Sequence, residues 1–154
     1  MGKISPHHFY QRIFKNWKRL DKHYVIIILS FNSLKKEANM LTVAAVLFAI
    51  AAIGGLTLAF LHFTRNNAPT ALAIVHGLFA AIALILLIIS IAQGQAAGLL
   101  IASLIVFLVA AVGGFILFLG FQLRSKPLPR PLIVIHGTAA ATAFVLLFIF
   151  LAKS

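Results

Sequence analysis

Leu72-Ala73-Ile74-Val75-His76-Gly77 returns 60 residues later as Leu132-Ile133-Val134-Ile135-His136-Gly137. Each copy lies in a long apolar run behind a proline-containing loop, with Pro69 before the first and Pro127, Pro129 and Pro131 before or at the start of the second. A lone histidine in such a run has no water to solvate it, so its polar nitrogens need partners from a packed helix interface. Its return in the same setting makes it a feature of the architecture.

Outward from these stretches, the composition fixes the solvent. The chain has 154 residues, 62% of them hydrophobic and only 10% charged, with mean hydropathy +1.09. A soluble domain carries about 25% charged residues. From Met40 onward the charged side chains are Arg65, Arg124, Lys126, Arg130 and Lys153, and none lies between Arg65 and Arg124. Water cannot solvate such a surface, so the partner is the lipid bilayer. The net charge of +11 would suggest nucleic acid in a soluble protein. Eight of the 13 basic residues precede Met40, however, and nucleic acid is not implied. With no cysteine, disulfides, thiolate metal sites and a cysteine nucleophile are excluded.

Four apolar runs are long enough to span a bilayer as helices, at about 41–63, 71–92, 96–123 and 131–152. The expected fold is all-α: a polytopic membrane protein whose four transmembrane helices form a bundle. Residues 1–39 differ in kind, holding Lys3, Arg12, Lys15, Lys18, Arg19, Lys22, Lys35, Lys36 and both acids, Asp21 and Glu37. The run Tyr24–Leu29 is too short to span. This segment reads either as a basic arm lying on anionic headgroups or as residues preceding a true start at Met40. The membrane domain is then 40–154.

The runs pair into two tandem units, about 41–92 and 96–152. Ala51, Ala52, Gly54, Gly55, Leu58 and Arg65 recur 59 residues later as Ala110, Ala111, Gly113, Gly114, Leu117 and Arg124. After one inserted loop residue, Pro69, His76, Gly77, Ala80 and Ala83 recur 60 residues later as Pro129, His136, Gly137, Ala140 and Ala143. Two spans per unit give both units the same orientation, a parallel repeat about an axis along the membrane normal. His76 and His136 then share one depth, toward the face bearing the two long loops. His76 shares a helical stripe with Ala73, Ala80 and Ala83, and His136 shares one with Ala139, Ala140 and Ala143. Small residues mark close-packed membrane helix faces, so both imidazoles are expected to point inward. Gly54, Gly55, Gly113, Gly114, Gly77 and Gly137 are expected packing points. His62 continues a stripe from Ala52, Gly55 and Ala59, while its counterpart in the second unit is Phe121. Topology follows the start: with the basic arm present both termini stay inside, and from Met40 the loop-side cations put both termini outside.

The available chemistry is narrow. Beyond Glu37 no carboxylate side chain remains, which argues against carboxylate relays, di-iron sites and acid-dependent hydrolases. No catalytic triad, phosphate loop or nucleotide fingerprint appears, so no catalytic residue is assigned. The plain expectation, and the one the sequence favours, is that each histidine bonds a backbone carbonyl or hydroxyl across a helix interface. The sharper one is b-type haem: His76 and His136 as axial ligands of one iron, Arg65 and Arg124 pairing with propionates, and His62 accessory. No metal beyond that iron is expected. A small transporter, a homo-oligomer or an accessory subunit of a larger membrane complex is a further alternative.

The paired Ile-Val-His-Gly and Val-Ile-His-Gly segments, each behind a proline loop, resemble those of small four-span bacterial membrane proteins. The resemblance covers about residues 40–152 and implies the bacterial inner membrane as location. It carries no activity. Four-span b-type cytochromes share the general architecture, without a specific motif in common.

Overall fold

A computed structural model of the chain describes Lys22, Ile26 and residues 40–65, 68–94 and 97–153. The chain divides into Met1–Ala38 and Asn39–Ser154. The expected basic arm lies outside the described residues apart from Lys22 and Ile26, both helical and exposed. The second unit holds four helices, each long and apolar enough to cross a membrane: α1, Met40–Arg65; α2, Thr70–Ala92; α3, Gly98–Gln122; and α4, Arg130–Lys153. No strand occurs among the described residues. The protein is therefore a multi-pass membrane helical bundle.

The helix starts follow from local chemistry. Pro69 precedes α2, and the Ala73 N–H bonds its carbonyl at 3.1 Å. Pro131 sits in the first turn of α4, where a missing N–H has no intrahelical partner to lose. Gly94 at φ 111° turns the chain after α2 in a left-handed conformation that a Cβ would strain. Ser125 at φ 52° does the same past α3. The last seven residues of α3, Ile116–Gln122, are π-helical. The matching stretch of α1 is ordinary α-helix. No residue type in the sequence marks that change.

The core is a seam. On α1 the seam runs through Leu41, Ala44, Phe48, Ala51, Gly55, Leu58 and His62, flanked by half-enclosed residues such as Ala45, Leu47, Gly54, Ala59 and Leu61. The seam's alternating spacing of three and four is the heptad pattern that keeps one face of a helix against its neighbours. On α3 the corresponding seam is Leu100, Ser103, Phe107, Ala110, Gly114, Leu117 and Phe121, each 59 residues further on. The α2 and α4 seams run through Ala83 and Leu87, and through Ala143 and Leu147, all fully buried. Leu41, Phe48, Ala83, Leu87, Leu100, Phe107, Ala143 and Leu147 form one cluster. Phe48 and Phe107 stack with ring centres 3.8 Å apart and planes 4° from parallel. They join α1 to α3 at the centre.

The other faces are apolar as well. Leu56 is 72% exposed, Phe60 65% and Phe148 64%. In water these would be an association surface, whereas in lipid they are the solvated face. Burial therefore selects positions and not residue types: leucine and phenylalanine occur both in the seam and on the outward face.

Candidate functional site

His76 stands two turns inside α2, and its ring reaches across to the middle of α1. A carbonyl oxygen can only accept, so His76 Nδ1 donates to Ala51 O at 2.7 Å. Ala51 is the twelfth of the 26 residues in α1. His136 Nδ1 donates to Ala110 O at 2.8 Å, joining α4 to α3 in the same way. These bonds fix the tautomer, with the proton on Nδ1 and the lone pair on Nε2. They also place the imidazoles deeper than the helix starts suggest, at the centre of α1 and α3.

The glycine pairs make this reach possible. A Cβ on Gly55 would lie 2.9 Å from His76 Cε1, and one on Gly54 3.5 Å from His76 Cβ. A Cβ on Gly114 would lie 3.0 Å from His136 Cε1, and one on Gly113 3.5 Å from His136 Cβ. Any side chain at Gly55 or Gly114 would push the imidazole off its carbonyl. Gly77 and Gly137 behave differently. A Cβ there meets nothing within 4 Å, and both residues are exposed, so they are not packing points within this bundle. One helical step is 100°, which turns them off the seam.

The two rings face one another across the bundle centre. Their centroids are 6.2 Å apart and their planes 87° from parallel. The Phe48–Phe107 stack lies one turn from Ala51 and Ala110 and floors the site on the side away from the long loops. Neither Nε2 has a hydrogen-bond partner among the described residues, and neither is sealed within the protein. No group of three or more His, Cys, Asp or Glu assembles among the described residues. The imidazole pair therefore stands without a third protein ligand of those types.

His62 is 5% exposed, and its Nδ1 is buried without a hydrogen-bond partner. Of the expected stripe through Ala52, Gly55 and Ala59, the last two are half-enclosed. Ala52 is exposed, and the enclosed positions leading to His62 are Ala51, Gly55 and Leu58. Arg65 and Arg124 are exposed at the loop-side ends of α1 and α3. Two polar ties were not anticipated from the sequence. Ser103 Oγ donates to Ala143 O at 2.8 Å, binding α3 to α4. Gln122 Nε2, at the end of the π-helical turn, donates to Ala68 O and to Thr70 Oγ1 at the start of α2. The Phe48–Phe107 stack was also unanticipated, although the 59-residue offset relates the two residues.

Comparison with protein-family models, curated proteins and solved structures finds no match for this chain.

Proposed function

We propose that this chain is a b-type haem protein of the bacterial inner membrane, carrying electrons within the bilayer, with His76 and His136 as the two axial ligands of one iron. The observation that carries this reading is the imidazole pair itself: two rings 6.2 Å apart, each with Nδ1 tied to a backbone carbonyl and Nε2 left over. A metal–imidazole bond is about 2.0 Å and a ring centre lies about 1.1 Å behind its nitrogen, so two imidazoles on one metal have centres roughly 6.2 Å apart. Metal-bound histidines characteristically donate their other ring N–H to a carbonyl or carboxylate.

The number of ligands favours haem over a bare ion. Zinc takes four ligands, or three with a water. Haem iron brings four nitrogens of its own and needs two from the protein, which is what this site offers. The orphaned Nδ1 of His62, on the loop side of the pair, is a second feature that a bound group with polar arms would use. When bound, the haem would supply one-electron redox chemistry. The protein's own residues hold and orient: Ala51 and Ala110 fix the ring tautomers, the Gly-Gly pairs seat the rings, and the Phe48–Phe107 stack keeps water from one side.

The test is an absorption spectrum of the protein purified in detergent from haem-replete cells. A Soret band is expected in the unaltered chain and lost in both His76→Ala and His136→Ala. A colourless protein would overturn the reading.

A second reading is favoured by the glycine seats. In it the histidines are interhelical clamps and the chain is a scaffold or accessory subunit of a membrane complex. The same two Nδ1 bonds serve, each worth roughly 0.6 kcal/mol in a bilayer. It leaves both Nε2 atoms without a role.

A further inference from the structure

The haem reading assigns His76 and His136 to the iron and leaves the specific role of His62 to be named. This residue is 5% exposed, in a membrane helix, with Nδ1 enclosed and unpartnered. A buried ring nitrogen without a partner is costly, more so where no water enters. The second unit avoids that cost with an apolar ring, Phe121, at the matching seam position. The histidine thus breaks the symmetry of the two seams on the loop side of the imidazole pair, as Ser103 against Ala44 does on the other side. His62 does so next to a further asymmetry of the bundle, the π-helical end of α3 that contains Phe121. Turns of this kind are frequent at functional sites.

Position says what His62 faces. It is seven residues beyond Gly55, which touches the His76 ring. Seven residues are two turns, so His62 lies on the same face of α1 and about 10.5 Å nearer the loop side. The Phe48–Phe107 stack closes the opposite side of the pair, so a group held by the imidazoles extends toward His62. The loop side is also where Arg65 and Arg124 stand. A haem carries two carboxylate arms that cannot be left in hydrocarbon, and no acidic side chain occurs among residues 40–154 to compete for a donor.

We propose that His62 is the propionate-binding residue of this protein, donating a ring N–H to one haem carboxylate. This rests on the haem reading above. It replaces the expectation that Arg65 and Arg124 alone meet the propionates: both are exposed, and His62 is the enclosed donor. His62 positions the haem and does not ligate the iron.

The test compares haem b with its dimethyl ester, in which the carboxylates are blocked. The unaltered chain, His62→Phe and His62→Gln are reconstituted with each, and haem loss to an excess of a haem-scavenging apoprotein is timed. With haem b, His62→Phe is expected to lose haem about ten-fold faster than the unaltered chain, with His62→Gln in between because the amide still donates. With the dimethyl ester the difference between His62→Phe and the unaltered chain is expected to vanish. A ten-fold difference that persists with the ester, or no difference with haem b, overturns the proposal. If the unaltered chain takes up neither haem, the ligand reading itself has failed. Phe is the residue of the second unit at this position, and Gln keeps a donor if Phe prevents folding.

Discussion

At the residue scale, the decisive contacts are made by glycines and backbone carbonyls. Gly55 and Gly114 leave room for an imidazole edge that a Cβ would meet at 2.9 and 3.0 Å. Gly55→Ala and Gly114→Ala are each expected to destabilise the bundle by about 1–3 kcal/mol through overpacking. They should also lower haem occupancy, since the ring must leave its carbonyl. Gly77→Ala is the control. It faces open space, so stability should stay unchanged or rise by up to about 1 kcal/mol from improved helix propensity. Unfolding in mixed detergent micelles, followed by circular dichroism, measures all three; equal losses at Gly55 and Gly77 would contradict the seat. Much at this scale is legible in the sequence. The inward direction of His76 and His136 follows from the alanines at three- and four-residue spacing. The carbonyl partners do not, because every residue offers a carbonyl and only the approach of two helices selects Ala51 and Ala110. The path to His62 was misread at Ala52, which is small but exposed, because size alone does not separate seam from lipid face.

At the element scale, the helices are held by one seam each, with further apolar residues turned to lipid. Phe48 is 6% exposed and stacked on Phe107, whereas Phe60 on the same helix is 65% exposed. Phe48→Ala is expected to cost about 3–5 kcal/mol. Phe60→Ala should cost little, because lipid fills the space left behind. The ratio of the two unfolding midpoints in detergent checks this, and similar losses would place the seam elsewhere. Ser103→Ala removes the α3–α4 bond to Ala143 and should cost roughly 0.6 kcal/mol, the average for such bonds in membranes. The spans were readable almost to the residue, since hydropathy and the flanking prolines mark them. The π-helical end of α3 was not. It ends at Gln122, which is tied back to Ala68 and Thr70, and no local residue pattern marks it.

At the scale of the whole molecule, matched residues of the two sequence halves meet at the centre: Phe48 with Phe107, and His76 with His136. The 60-residue offset relates the two histidines in the sequence, whereas the meeting of Phe48 with Phe107 was not anticipated there. What the sequence could not supply is the separation of the two imidazoles, which is the distance the haem proposal rests on. The 87° between the ring planes gives the most direct test. Near-perpendicular axial imidazoles on low-spin ferric iron produce a highly anisotropic electron paramagnetic resonance signal, distinct from that of parallel ones. The measurement is the low-temperature spectrum of the oxidised protein in detergent. A highly anisotropic low-spin signal, turned high-spin or abolished by His136→Ala, is the predicted result. A high-spin signal in the unaltered protein, or no haem signal from haem-replete cells, would contradict the shared-iron account.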